Sequence, residues 1–369
     1  MRKLPLGVGE PAPWFACRST SNEDYHFNSV GGRYVVISFF GSVADDDSAR
    51  VLAAFQAMRR VFDDDNMCFF GVSTDPEDEK GARVRESLPG MRYFWDFDRA
   101  VSREFGLAPE EGGYRKTTFL LDPRLRVIAC IPFGADPESH CPRLVEILKK
   151  LPQLGAPRLA DTPAPVLIVP YVFEPELCRH LIETYDRQGG GDSGFMRDVE
   201  GKTVGLIDHA FKRRRDVLLE DPKLKQACMS RMHNRLSPEI RKAFQFHPTR
   251  MERYLVACYD AGEGGYFRAH RDNTTKGTAY RRFAVSLFLN TGEYDGGFLC
   301  FPEFGRQHYA APVGGAVVFS CSILHEATPV TRGRRYMFLP FLFDEEADRQ
   351  RQENLRSVAP GPPGDDAAR

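Results

Sequence analysis

The sequence predicts two domains of different fold class, an α/β sandwich followed by a jelly roll (double-stranded β-helix) with flanking helices. The chain has 369 residues, which is more than one hydrophobic core usually serves. Strand and helix patterns alternate before residue 152, whereas short strands separated by glycine-rich turns follow residue 251. The segment 152–165 between them contains four prolines and no hydrophobic periodicity, as is typical of a semi-rigid linker.

These patterns set the domain boundaries that we predict. They are a first domain at residues 1–152, a linker at 153–164, a second domain at 165–346 and a tail at 347–369. The tail is expected to be disordered, because its proline- and glycine-rich end at 357–369 has few apolar residues to bury.

The composition limits the classes of function. Fifty basic and 51 acidic residues give a net charge of −1, so the chain lacks the basic excess of a protein that binds nucleic acid or acidic membranes. The sequence contains no apolar run of signal-peptide or membrane-spanning length. Nine cysteines without a C-x-x-C pair argue against a disulfide framework and a zinc ribbon. We therefore expect a cytoplasmic protein in a reducing compartment.

The first domain alternates between strand and helix patterns. Its predicted strands are residues 34–40, 68–72, 118–121 and 127–132. One predicted helix follows Ser48 and another spans 99–105. The residues expected on the buried face of the helix after Ser48 are Val51, Phe55, Met58 and Phe62.

Four short segments of this domain match a known pattern. Their sequences are GEPAPWF at 9–15, GVSTD at 71–75, WDFD at 95–98 and FLLD at 119–122. Together they resemble the peroxiredoxin (AhpC/TSA) branch of the thioredoxin fold, which implies a thioredoxin-like domain.

The turn after the first core strand departs from that family. A peroxiredoxin carries its peroxidatic cysteine there, whereas residues 41–49 contain no cysteine and three consecutive aspartates. Carboxylates raise the pKa of a nearby thiol, so this turn is unsuited to a thiolate. Cys17 and Cys68 are expected to be inert buried residues. We therefore predict a domain without peroxidase activity, which serves as a scaffold or binds a partner protein.

The second domain begins with a strand at 166–169 and a helix in which Leu177, Leu181 and Tyr185 share one face. The stretch 212–253 has twelve basic and five acidic residues, and its pattern is mainly helical. Two interpretations of its charge remain open. One is a solvated helical face, and the other is a patch that attracts an anionic substrate or an acidic partner. The strands predicted after it are 253–259, 283–290, 298–301, 316–321 and 335–343.

Three residues of this domain have the spacing of a metal site. His270 and Asp272 are two residues apart, so both side chains point to the same face if they lie on a strand. His325 follows Asp272 by 53 residues, at the position expected for another strand of the same barrel. Two histidines and one carboxylate on one face of a metal leave positions open, as in non-haem Fe(II) oxygenases. Ten residues later, Arg335 begins an apolar strand, where a buried guanidinium needs an anion.

Six segments around these residues match a second known pattern. They are ACY at 257–259, Tyr266, HRDN at 270–273, SLFLN at 286–290, GGFL at 296–299 and FPE at 301–303. Together they are similar to 2-oxoglutarate- and Fe(II)-dependent oxygenases, and within them to the prolyl 4-hydroxylase group.

The resemblance implies a role for each candidate site residue. His270, Asp272 and His325 are the implied catalytic iron ligands. Arg335 is implied to pair with the far carboxylate of 2-oxoglutarate, and Tyr259 to donate a hydrogen bond to the same cosubstrate. Phe288 is a departure, since some relatives have a tyrosine there.

The predicted function is therefore that of a dioxygenase. It uses Fe(II), 2-oxoglutarate and O₂, with ascorbate as an auxiliary reductant, and hydroxylates a C–H bond of a prolyl or other protein side chain while releasing succinate and CO₂. Two alternatives remain open. One is a hydroxylase of a small metabolite, and the other is a non-catalytic sensor of 2-oxoglutarate or oxygen that acts through the redoxin-like domain. A thiol peroxidase is disfavoured by the missing cysteine.

Overall fold

The computed structural model describes residues 4–110, 112–134, 136–155, 162–355 and 358. The chain divides into two compact units, residues 1–158 and 159–369. Their boundary falls inside the predicted linker, of which residues 156–161 lie outside the described part. None of the helices formed by the described residues has the length and apolarity needed to span a membrane.

The first unit is a five-stranded sheet with flanking helices. The strands of the whole unit are β1 (Ala16–Cys17), β2 (Tyr25–His26), β3 (Tyr34–Gly41), β4 (Met67–Ser73), β5 (Met91–Trp95), β6 (Thr117–Leu121) and β7 (Val127–Pro132), of which β1 and β2 pair separately. Its helices are α1 (Asp46–Ala57), α2 (Pro76–Lys80), α3 (Ala100–Glu104) and α4 (His140–Leu148). The strand order is β5-β4-β3-β6-β7, with β3 parallel to β4 and antiparallel to β6.

All eight residues of β3 are buried, because helices or loops cover both faces of the sheet. Alternate residues of the strand enter different clusters, Ile37 on one side and Val36 on the other. The predicted strands of this unit are therefore present. Three strands were not predicted. Two of them, β1 and β2, have only two residues each, and the third, β5, includes Arg92 and shows no alternation.

The first predicted helix is shorter than expected. Helix α1 ends at Ala57, so Met58 is its C-terminal cap and Phe62 lies beyond a following 3₁₀ turn. The prediction that all four apolar residues share one helical face was wrong for these two. Phe62 is nevertheless buried, because the loop brings it back to the core.

The second unit consists mainly of antiparallel strands. They are β8 (Leu167–Val169), β9 (Gly191–Asp192), β10 (Phe195–Val199), β11 (Lys202–Leu206), β12 (Lys212–Arg213), β13 (Arg215–Leu218), β14 (Arg250–Glu252), β15 (Leu255–Asp260), β16 (Tyr266–His270), β17 (Phe283–Phe288), β18 (Asp295–Gly296), β19 (Leu299–Cys300), β20 (His308–Tyr309), β21 (Ala316–Ser320), β22 (His325–Ala327), β23 (Val330–Arg332), β24 (Arg334–Phe338) and β25 (Phe341–Phe343). Its helices are α5 (Pro175–Gln188), α6 (Pro222–Arg231), α7 (Ser237–Phe244) and α8 (Glu345–Asn354).

Two of its sheets form the predicted jelly roll. The larger follows the order β14-β25-β17-β24-β15-β13-β9 and extends from β17 through β21 to β8, and the smaller has the order β12-β16-β22-β19-β20. Buried residues of both, including Ala257 of β15 and Leu299 of β19, belong to one apolar cluster. The opposite face of the larger sheet packs against α5, α6 and α7, for example through Leu181 and Ile240. These are the flanking helices of the prediction.

Three predictions for this unit need correction. The strand expected at 335–343 is divided into β24 and β25 around Pro340, because proline has no amide hydrogen for the ladder. The basic stretch 212–253 begins with strands β12 and β13, and only its central part is helical. The predicted disordered tail begins too early, because residues 347–354 belong to α8.

Local contacts explain why α8 forms. The Asp344 carboxylate caps the helix by accepting a hydrogen bond from the Ala347 amide. Ala347 is fully buried in a small cluster with Tyr280 and Phe343. Of the remaining tail, residues 356–357 and 359–369 lie outside the described part.

Candidate active site

Strand pairing brings the three predicted metal ligands together. His270 ends β16 and His325 begins β22, and these strands are antiparallel with the two histidines directly opposite each other. Asp272 follows two residues after His270, and its amide donates to the Cys321 carbonyl. One potential ligand atom of each residue lies within 4.8 Å of the others. The Asp272 carboxylate is 3.6 Å from His270 Nε2 and 3.3 Å from His325 Nε2.

The structure corrects one detail of this prediction. Asp272 does not lie on the strand with His270, because β16 ends at His270 and the carboxylate projects from the turn that follows. The strand spacing argument therefore picked two residues that the structure brings together, but through the wrong local geometry. The turn, held by the amide bond to Cys321, returns the carboxylate to the two imidazoles.

Backbone carbonyls orient both imidazole rings. His270 Nδ1 lies 2.7 Å from the Arg268 carbonyl oxygen, and His325 Nδ1 lies 3.0 Å from that of Ile323. A carbonyl can only accept, so each Nδ1 carries a hydrogen, and Nε2, the ring nitrogen near Asp272, is the one available to a metal. This is the tautomer that a metal-binding histidine requires.

Charges around the three residues favour the metal-binding protonation states. Burial lowers the pKa of His325 to about 4, and His270 lowers it further. Burial alone would raise the pKa of Asp272, but the adjacent imidazoles of His325 and His270 outweigh it and lower that pKa. At neutral pH the group therefore offers a neutral His325 imidazole and an ionised carboxylate.

The structure places Arg335 and Tyr259 beside this group, on neighbouring strands. Tyr259 of β15 is directly opposite Arg335 of β24. The Arg335 guanidinium carbon lies 5.0 Å from the centre of the Tyr259 ring and 5.4 Å from that of Phe288. Arg335 is only 2% exposed, and its Nε has no hydrogen-bond partner among the described residues. Arg334 faces outward and binds Asp260, as strand alternation predicts.

Gly297 makes room for the Arg335 side chain. A Cβ atom at this position would lie 2.8 Å from Arg335 Cδ, closer than carbon atoms approach. Its φ of +60° is also one that residues with a side chain rarely adopt. Gly297 therefore has a structural role beside the Arg335 side chain.

A cavity of about 530 Å³ connects these residues. His270, Asp272, His325, Tyr259 and Arg335 all line it. Its volume lies within the range of small-molecule pockets in proteins.

Sequence reasoning marked the stretch 212–253 as basic but did not single out the charged residues that reach this cavity, which we call the basic cluster. It comprises Lys212, Arg214 and Arg253 around Asp216, and all four line the cavity. Lys212 and Arg214 are 3% and 7% exposed, so the solvated face, one of the two interpretations left open, was wrong at these positions. A signal was present in the sequence, because residues 212, 214 and 216 alternate as strand residues do, while 213 and 215 are exposed.

In the first unit, the turn after β3 is occupied by an ion pair. Asp45 caps α1 by accepting from the Ser48 amide at 3.0 Å, and Lys116 Nζ lies 2.5 Å from the same carboxylate. Lys116 is also 3.8 Å from Asp47. The aspartates predicted to make this turn unsuited to a thiolate therefore share the lysine that lies beside them.

Burial makes the cysteines of this unit poor nucleophiles. It raises the pKa of Cys17 and Cys68 to about 12 and that of Cys141 to about 11, and it also raises the pKa of Cys130. Asp96 and Asp98 raise the pKa of Cys17 further. These four thiols therefore stay protonated at neutral pH.

Comparisons with known proteins return relatives of each half. A PKHD-type hydroxylase of Synechococcus sp. (strain JA-2-3B'a(2-13)) is 32% identical over 114 residues, which are 29% of this chain and 50% of that protein. The chain thus spans about half the length of the curated relatives it matches. A Pseudomonas putida prolyl-4-hydroxylase structure is 18% identical with a TM-score of 0.38, covering 49% of this chain and 94% of that one. The Xanthomonas campestris bacterioferritin comigratory protein is 22% identical with a TM-score of 0.33, covering 39% and 96%.

Two family models match separate parts of the sequence. Residues 8–129 match the AhpC/TSA family, and residues 254–343 match the 2OG-Fe(II) oxygenase superfamily. The second match includes all five candidate site residues, from Tyr259 to Arg335. The chain therefore carries an AhpC/TSA domain on its N-terminal side and a 2OG-Fe(II) oxygenase domain on its C-terminal side.

Proposed function

We propose that the C-terminal domain hydroxylates a C–H bond with Fe(II), 2-oxoglutarate and O₂. The observation that supports this most directly is the group formed by His270, Asp272 and His325, with ligand atoms within 4.8 Å and both imidazoles held by backbone carbonyls. Two imidazoles and one carboxylate are the donor set that suits Fe(II) in oxygenases. These residues therefore fit the iron that the superfamily match implies.

The bound iron and cosubstrate would supply the redox chemistry, in which O₂ gives one oxygen atom to 2-oxoglutarate, forming succinate and CO₂, and the other to the substrate C–H bond. The residues of this chain position the reactants. Arg335, buried and with Nε lacking a partner among the described residues, would bind the far carboxylate of 2-oxoglutarate. Tyr259 would donate a hydrogen bond to the same cosubstrate from the adjacent strand.

We further propose a prolyl or other protein side chain as the substrate. The similarity of residues 254–343 to prolyl 4-hydroxylases supports this, as does the name of the cyanobacterial relative, a PKHD-type hydroxylase. If the hydroxylated product is a small metabolite and not a protein, the alternative predicted from the sequence, a metabolite hydroxylase, holds instead.

Anaerobic reconstitution tests the reaction. The full chain is loaded with Fe(II) and 2-oxoglutarate, O₂ is admitted with ascorbate present, and succinate is measured by mass spectrometry. We expect succinate that depends on both iron and O₂, and a 16-Da increase in a protein or small molecule of an added lysate. Binding of 2-oxoglutarate without succinate under any condition would contradict catalysis and favour a sensor.

We also propose that the N-terminal domain has no thiol peroxidase activity. The Asp45–Lys116 pair on the turn after β3 and the raised pKa values of its cysteines support this. The full chain is expected to consume hydrogen peroxide no faster than a variant in which Cys17, Cys68, Cys130 and Cys141 are serine, measured with dithiothreitol as the reductant. A thiol-dependent rate that disappears in the variant would contradict the proposal. A scaffold or partner-binding role is then what we propose for this domain.

A further inference from the structure

The basic cluster has more cations than it has anions. Arg214 forms two hydrogen bonds with Asp216, of 2.7 and 2.6 Å, so this pair already neutralises itself. Arg253 shares the same carboxylate from 3.6 Å, and its Nε has no partner among the described residues. Lys212 donates to two neutral oxygens, Ser193 Oγ at 2.7 Å and the Gly194 carbonyl at 2.5 Å. Three cations thus surround one carboxylate.

The neighbouring Arg281 does not change this balance. Its Nε donates to Glu252 at 2.8 Å, so it has a carboxylate of its own. Burying cations without anions is unfavourable, and a ligand anion in the cavity would remove that cost. Burial and the adjacent Arg214 lower the pKa of Lys212 well below its usual value, and they lower that of Arg253 to about 10. A bound anion would oppose both effects.

The cosubstrate does not supply this anion in the arrangement proposed above. Its far carboxylate would pair with Arg335, and its keto acid end would lie at the metal group, so neither end remains for the basic cluster. Lys212 is nevertheless close to the metal group. Its Nζ lies 4.8 Å from the centre of the Phe267 ring, which stacks on the His270 ring with centres 3.5 Å apart.

We infer that the substrate of the oxygenase domain carries a carboxylate or phosphate group that binds Lys212 and Arg253 within the active-site cavity. The inference rests on the proposed function and specifies its substrate class. The crossover from β12 to β13 explains why the site lies there, because Lys212 pairs with the smaller sheet at Phe267 and Arg215 with the larger sheet at Cys258. Lys212, Arg214 and Asp216, which alternate along this crossover, therefore line the space that the two sheets enclose.

Anion binding without turnover provides the first test. The full chain is loaded with Zn(II) and saturated with 2-oxoglutarate, and inorganic phosphate and acetate are titrated separately by calorimetry. We expect the wild type to bind at least one of them, and Lys212→Met and Arg253→Met each to weaken that binding by about 10-fold or more, since a hydrogen bond to a charged group is lost. Arg253→Lys should restore part of the affinity. Arg334→Met, which removes an exposed guanidinium, is the matched control and should bind as the wild type does.

Three results would overturn the inference. They are no binding of either anion to the folded wild type, binding by both methionine variants as tight as that of the wild type, and a loss of 2-oxoglutarate affinity in Lys212→Met as large as the loss of anion affinity. The last would assign the basic cluster to the cosubstrate. Circular dichroism confirms that each variant is folded, and either replacement removes a cation from a cluster in which cations outnumber anions.

A second test identifies the source of the anion. A lysate is separated on an anion exchanger, and fractions are assayed for stimulation of succinate formation by the Fe(II)-loaded chain. We expect the stimulating material to be retained. Phosphatase treatment should abolish the stimulation if the group is a phosphate, and carbodiimide amidation if it is a carboxylate, while a size cut-off separates acidic peptides from small acids. Stimulation found only in the unretained fraction would refute the inference while leaving the oxygenase intact. If succinate forms under no condition, the proposed function itself fails.

Discussion

Replacing Asp272 with alanine is expected to abolish metal binding and the formation of succinate from 2-oxoglutarate. Asp272 is the carboxylate of the group, 3.6 and 3.3 Å from the two imidazole nitrogens. Without it the site keeps two neutral ligands and loses the negative charge that offsets Fe(II). Mutating a residue that only hydrogen-bonds to a metal ligand typically lowers metal affinity or activity by about 10- to 100-fold. Removing the ligand itself should therefore lower both by at least about 100-fold.

Two measurements check this expectation. Succinate formation gives the activity, and the absorption of bound Co(II) reports metal binding without turnover. Asp295→Ala is the matched control, because Asp295 is an exposed aspartate that binds Arg332 on the surface. His325→Gln provides a second variant of the metal group if Asp272→Ala fails to fold. Wild-type Co(II) spectra in both ligand variants would contradict the assignment of the metal site.

Replacing Arg335 with methionine is expected to raise the KM for 2-oxoglutarate by about 30-fold or more. Truncating one partner of a buried, hydrogen-bonded charge pair typically costs about 2 kcal/mol or more, which corresponds to this factor. Metal binding should be unaffected, because the ligands that we propose are His270, Asp272 and His325. Initial rates as a function of 2-oxoglutarate concentration separate KM from kcat, and Co(II) absorption checks the metal site.

Stability measurements give Arg335→Met an independent readout. Arg335 is almost completely buried and its Nε has no partner among the described residues, so removing its charge should not lower the free energy of unfolding of the ligand-free protein. The rise in Tm that 2-oxoglutarate produces in the wild type should be smaller in the variant at the same concentration, because stabilisation by a ligand increases with the ratio of its concentration to its Kd. Arg334→Met, on the exposed side of β24, should retain both the KM and the rise in Tm. An unchanged KM in Arg335→Met would exclude Arg335 as the cosubstrate anchor.

The N-terminal domain shows which structural features local sequence patterns can predict and which they cannot. The buried strand β3 was predictable from a run of β-branched and aromatic residues interrupted only by Ser38, and the absence of a cysteine on the following turn was visible directly. The ion pair that occupies this turn was not predictable. It joins Asp45 to Lys116, which are 71 residues apart and meet only when the sheet has formed.

The active site was likewise predictable from the sequence only in part. Residue types and spacing alone determined the candidate ligands His270, Asp272 and His325 and the candidate anchor Arg335, because the chemistry of Fe(II) and of a buried guanidinium restricts the choice to few residues. Only the tertiary structure decided that His270 is directly opposite His325, that backbone carbonyls hold their Nδ1 atoms, and that Asp272 approaches from a turn. Strand register and loop geometry position these atoms, and neither can be deduced from spacing along the chain.

The basic cluster shows most clearly the difference between what the sequence determines and what the tertiary structure decides. The sequence by itself determined that cations predominate between residues 212 and 253, which is a matter of counting. Only the tertiary structure decided that Lys212, Arg214 and Arg253 line the active-site cavity around a single aspartate, instead of forming a solvated face. The physical reason is that the energy of a charge depends on its burial and on its partners, and these are set by the folded chain rather than by local composition.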